Sequence, residues 1–168
     1  ELVDRSLARN GRHHRAHHLK CAILRRLGCY PEAAEAVAVS LKLDGLNFGA
    51  LYERFLLTGD TAYQTLMRGN VHSYIEISLD YAHAALFKEA IDLLSEVPPA
   101  DPMARYYLGW DRIQSGDVSA ADHAFQEAYR IASDYCFPNQ IECIPALQAA
   151  MQRNPQDARA PYYLGNFW

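Results

Sequence analysis

Tyr106-Tyr107-Leu108-Gly109 is written a second time at Tyr162-Tyr163-Leu164-Gly165. Each copy opens a stretch with apolar residues at helical spacing. A word that recurs inside amphipathic helices marks a repeat array, where each unit buries its apolar face against its neighbours. The chain is therefore read as all-α. Around the first copy the punctuation is clear. Asp101-Pro102 starts the helix, with Pro at an early position where its missing N–H costs nothing. Gly116-Asp117 makes a turn, and Ala121, Phe125 and Ala128 lie on one face of the helix that follows.

The same frame extends outward. Residues 17–27 carry Leu19, Ala22, Ile23, Leu24 and Leu27 near helical spacing. Gly28 suits a helix C-cap and Pro31 the first turn of the next helix, which stops near Asp44-Gly45. Helical hairpins are expected at 14–43, 47–68, 71–97 and 102–132. The second is degraded, because the stretch after Thr58-Gly59-Asp60 is short. In the third, Ala90 takes the small position and Ala85 stands where a turn Gly is expected. A single helix is expected at 140–153, closed by Asn154-Pro155, and an unpaired last helix at 160–168.

The Leu108-Gly109 pair, the turn at Gly116 and the set Ala121, Phe125 and Ala128 resemble the tetratricopeptide repeat, a helical hairpin of about 34 residues. In the first full hairpin Cys21, Ala33 and Ser40 match the family's three small positions. Gly28 is the turn glycine, and Gly45 replaces the usual closing proline. Small residues matter there because helix axes approach toward ~8 Å only when contact side chains are small. The resemblance implies a right-handed superhelical solenoid, irregular in places, with residues 1–168 as a single domain. Ser6, Leu7 and Gly11 fit the tail of a second helix, and the last helix lacks its partner, so both ends are read as cut within a repeat. The segment from Asn154 to Asn166 is similar to bacterial multi-domain proteins that carry a galactose-mutarotase-like β-sandwich upstream of their repeats.

The family resemblance also implies a groove, because the first helix of each hairpin lines a concave face. By position this gives Arg15, His18, Arg26, Glu53, His72, His83, Tyr106, Trp110, Tyr162 and Asn166. Tyr and Trp on such a face offer large contact area with a polar handle. The other reading of Tyr106 and Trp110 is packing against the neighbouring hairpin, and both readings stay open at this point. One tetratricopeptide subclass clamps a peptide carboxylate with Lys and Asn. His18 and Ala22 stand at those positions, which argues against that mode.

Composition narrows the classes. Half of the 168 residues are hydrophobic, enough for a continuous core, and no apolar run is long enough to span a bilayer. Glu1 heads the chain without a Met or a signal segment, and the expectation is a piece of a longer protein. Residues 1–26 hold seven Lys/Arg and two acids, whereas the remainder holds nine Lys/Arg and eighteen acids. The acidic body repels phosphate, so nucleic acid and membrane are not expected as partners. Cys21, Cys29, Cys136 and Cys143 show no zinc spacing and are expected as free thiols in a reducing cytoplasm. His13, His14, His17 and His18 include i,i+4 pairs, but with no further ligand nearby they read as a polar helix start, not a metal site. No phosphate loop, nucleophile elbow or HExxH motif occurs, and neither an enzyme activity nor a cofactor is expected.

The function expected is a protein- or peptide-binding scaffold within a larger cytoplasmic bacterial protein, with a peptide or glycan on the concave face. The alternative is an accessory helical domain of a carbohydrate-active enzyme, packed on an upstream β-sandwich. Self-association is expected through Phe167 and Trp168 on the exposed last helix.

Overall fold

The computed structural model describes residues 1–98, 100–132, 134 and 136–168. Among them are eleven helices and no strand: α1 (Leu2–Arg9), α2 (His14–Arg26), α3 (Tyr30–Leu43), α4 (Phe48–Thr58), α5 (Ala62–Met67), α6 (Val71–His83), α7 (Phe87–Glu96), α8 (Pro102–Ser115), α9 (Val118–Arg130), α10 (Cys143–Arg153) and α11 (Arg159–Phe167). The all-α reading holds, and the helix bounds expected from the sequence match these closely. No described helix is long and apolar enough to cross a membrane. The chain divides into two compact units, Glu1–Ser73 and Tyr74–Trp168.

In the first unit α2 packs on α3, and both pack on α4. Gly28 ends α2 with a left-handed φ of 77°. Gly28 N–H then donates to Arg25 C=O at 3.0 Å and Cys29 N–H to Leu24 C=O at 2.9 Å. This double bond pattern satisfies carbonyls that a helix end otherwise leaves open. Cys21, Ala33 and Ser40 are all buried, as close contact of small residues requires. Asn47 knits the three helices together. Its Nδ2 donates to Ser40 Oγ at 3.0 Å and to the His14 carbonyl at 3.4 Å, while its Oδ1 accepts from Ala50 N–H and caps α4. Tyr52, Phe55 and Tyr63 form an aromatic cluster between α4 and α5, with Tyr52 and Tyr63 edge to face at 5.2 Å.

In the second unit α8 is the central element. It packs on α7, α9 and α10, and residues 102–109 are all buried. Asp101 Oδ1 caps it by accepting from Ala104 N–H at 2.8 Å. Gly116 (φ 90°) closes it as Gly28 closes α2, with Asp117 N–H donating to Arg112 C=O at 2.8 Å. Gly109 meets Phe125 of α9, and a Cβ added at Gly109 would stand 2.6 Å from Phe125 Cδ1. Ala121 and Ala128 flank that contact at zero exposure. Ala85 ends α6 in the same left-handed conformation (φ 58°), with Leu86 N–H donating to Tyr81 C=O at 2.9 Å. Alanine thus does here what glycine does at the other two turns.

The single helix expected at 140–153 is α10, which lies against α8 with only a minor contact on α9, and the last helix, α11, packs on α10.

Gly109→Ala should destabilise the protein by about 1–3 kcal/mol, because Phe125 is itself enclosed and has nowhere to go. Gly165 stands at the same place in the second Tyr-Tyr-Leu-Gly word and has no neighbour within 4 Å. Gly165→Ala should be neutral or stabilising by up to about 1 kcal/mol through helix propensity. Ala85→Gly should stabilise by about 1 kcal/mol by relieving a left-handed alanine. Urea melts of the three variants check these signs.

Candidate functional site

The ten groove candidates fall five to each unit. In the first unit, Arg15, Arg26 and His72 are exposed, whereas His18 and Glu53 are buried. His18 packs onto Gly49, where an added Cβ would stand 2.5 Å from His18 Cγ. The absence of a side chain on α4 is what admits the imidazole. Glu53 has zero exposure and takes both bonds from Arg25: Nε to Oε2 at 2.7 Å and Nη2 to Oε1 at 3.1 Å. Its charge is thereby matched inside the unit.

In the second unit, Tyr106 has zero exposure. Its hydroxyl donates to Asp157 Oδ2 at 2.8 Å, and its ring lies edge to face with Tyr163 at 5.9 Å. Burial, then the bond to Asp157, pushes the phenol well above its ordinary range, so it stays protonated as a donor. Trp110, one turn along α8, is half-buried. Tyr162 is 54% exposed and rests its ring against Tyr163 at 5.6 Å. Asn166 is exposed on the same helix. His83 Nε2 lies 3.0 Å from Glu142 Oε1 at a half-exposed position. Tyr106, Tyr163 and Tyr162 thus form a continuous aromatic run from the core to the surface of α11. Tyr106, His18 and Glu53 are packing residues, and among the ten candidates the accessible aromatic surface is that of Trp110 and Tyr162.

Asp157 is a residue that sequence reasoning missed. One oxygen accepts from Tyr106, and the other caps α11 by accepting from Arg159 N–H at 2.8 Å and Ala160 N–H at 3.1 Å. Its place after Asn154-Pro155-Gln156 and just before an apolar helix was the available signal. Asp111 was missed too. It sits on α8 at 2% exposure, with no hydrogen-bond partner for Oδ2 among the described residues. Burial raises its carboxyl from 3.8 to about 7.

Three of the four thiols are poorly placed for nucleophilic chemistry at neutral pH. Burial pushes Cys21 up to about 12, and Cys136 and Cys143 up to about 11. No group of three or more His, Cys, Asp or Glu positioned for a metal ion occurs among the described residues. His17 Nε2 lies 2.9 Å from the Gly11 carbonyl, and His13 Nδ1 caps α2 by accepting from Ala16 N–H. No protein-family model matches the sequence, and no curated protein matches it.

Asp111 carries a pH prediction. The unfolded carboxyl loses its proton near pH 4, while the folded one keeps it to about pH 7. Stability therefore falls as pH rises through that window, and the full cost, about 4 kcal/mol, is present above it. Asp111→Asn should be more stable than the parent at pH 8 by a few kcal/mol. At pH 4 the two should agree to within about 1 kcal/mol, since both side chains are then neutral. Paired urea melts at the two pH values measure the difference.

Proposed function

We propose that this chain is a tetratricopeptide-type binding module of a larger cytoplasmic bacterial protein, taking a peptide segment on the face lined by α8 and α11. The observation that carries the reading is the pairing of Trp110 and Tyr162. Trp110 directly follows the first copy of the repeated word and Tyr162 opens the second, and both keep accessible aromatic surface, Trp110 half-buried and Tyr162 more than half exposed. Rigid aromatic side chains give contact area at low entropic cost, which suits an extended peptide with apolar side chains. Asn166, one turn after Tyr162, adds an amide that can pair with a peptide backbone. The four cysteines are free, which supports a reducing compartment. Gly109 against Phe125, with Ala121 and Ala128 beside it, supports the repeat frame on which the face is placed.

The test is selection from a displayed random-peptide library followed by titration of the selected peptide. Tyr162→Ala is the cleaner variant, because its ring is more than half exposed and its loss should leave the melting temperature nearly unchanged. Affinity should fall about tenfold or more if it is a binding hot spot. Trp110→Ala should weaken binding further and lower the melting temperature, since that ring is also half-buried. A selected peptide that binds both variants as well as the parent would remove this face from the proposal.

A further inference from the structure

A second concave surface lies in the first unit, and none of the ten groove candidates lines it. It is an open cleft of about 430 Å³ among α1, α2 and α3. Leu7, Leu24, Ala36 and Val39 supply its apolar wall, one or two from each helix. The wall is incompletely covered: Val39 is 47% exposed, and α1, though amphipathic, has no buried residue at all. A helix normally buries its apolar stripe, so α1 leaves its own stripe available along the cleft.

The rim is acidic. Lys20, the cation of the lining, is held by Asp4 at 2.9 Å and is thereby neutralised. His17 at the edge is bonded to the Gly11 carbonyl. Glu32 and Glu35 remain, exposed on α3 and engaged in no ion pair among the described residues. Three residues apart, they project as neighbours on one helix face. Their charges are left without a counter-ion beside a strip of apolar surface.

We propose that the cleft among α1, α2 and α3 is a docking site for a basic amphipathic helix of a partner protein. The partner's leucine-sized side chains would enter against Leu7, Leu24 and Val39, and its Lys or Arg residues would pair with Glu32 and Glu35. This is helix-in-groove recognition, in which apolar anchors give affinity and rim charges give orientation and rate. An acidic or wholly polar partner is excluded by the same rim and wall.

The experiment uses a fluorescein-labelled peptide with leucines at i, i+3, i+4 and i+7 and lysines between them, titrated at low salt by fluorescence anisotropy. Saturable binding is expected, and a peptide with the lysines replaced by glutamates should not bind. Glu32→Lys/Glu35→Lys should weaken binding by about tenfold. The charge-matched Glu76→Lys/Glu96→Lys pair, on α6 and α7, should leave it within about twofold. Val39→Asn should also weaken it several-fold, with far-ultraviolet circular dichroism unchanged. Equal weakening by the two charge-reversed pairs would show nonspecific attraction to an acidic protein and overturn the proposal, as would indifference to Val39→Asn. Sedimentation showing a dimer that Val39→Asn dissociates would assign the cleft to a second copy of the chain instead, and no saturable binding would end the idea outright.

Discussion

The close crossing of α8 and α9 at Gly109 is the contact on which the second unit depends. With no side chain at Gly109, the Phe125 ring fills the place a Cβ would take. That brings the two helices near enough for Ala121 and Ala128 to lose all exposure. Once α9 covers one side of α8, α7 and α10 can close the others, and eight consecutive residues of α8 are enclosed. A helix buried on every side must satisfy or neutralise whatever polar groups it carries. Arg105 does so in part, with Nη2 donating to the Val97 carbonyl at 2.8 Å and Nε lying 3.7 Å from Glu127 Oε2, and Tyr106 does so through Asp157. Asp111 has no such bond at Oδ2 among the described residues, and its burial raises its pKa.

The first unit solves the corresponding problem with charge. Arg25 and Glu53 meet through two bonds, and Glu53 is wholly enclosed. A buried pair gives little net stability, because removing two charges from water costs about as much as their attraction returns. What it does provide is discrimination, since a shifted register would leave a bare charge inside. Asn47 adds to that discrimination by bonding to α2 and α3 at once while capping α4. Glu32 and Glu35 show the contrast on the outside: carboxylates with no partner among the described residues, kept charged by the water around them.

The helices were legible in the sequence because their ends are chemically marked. Gly28 and Gly116 take left-handed conformations that end helices, and Pro31 and Pro102 stand where a missing N–H is harmless. The small residues at crossings were legible for the same reason, as size alone decides how close two helices come. The candidate site was less legible. Glu53 reads as a polar surface residue until Arg25, on another helix, is placed beside it. Asp157 reads as a turn residue, and its second partner lies 51 residues away. The cleft among α1, α2 and α3 draws its wall from three helices, none of which looks unusual alone. Long-range pairing is what periodicity does not encode.

The repeated Tyr-Tyr-Leu-Gly word shows how far identical local sequence determines environment. The second tyrosine of each copy is buried, Tyr107 at 2% and Tyr163 at zero exposure. The first tyrosines diverge: Tyr106 is enclosed and Tyr162 is more than half exposed. The glycines diverge as well, since Gly109 meets Phe125 and Gly165 meets nothing. Phe125 of α9 seats on Gly109, and Asp157 and Tyr163 cover Tyr106, whereas Gly165 has no neighbour within 4 Å and Tyr162 touches Tyr163 from the outside. Identical local sequence therefore fixes the helix, and the elements packed beside it decide whether a side chain is enclosed or exposed: of the three aromatic groove candidates, Tyr106 is core, while Trp110 and Tyr162 keep accessible ring surface.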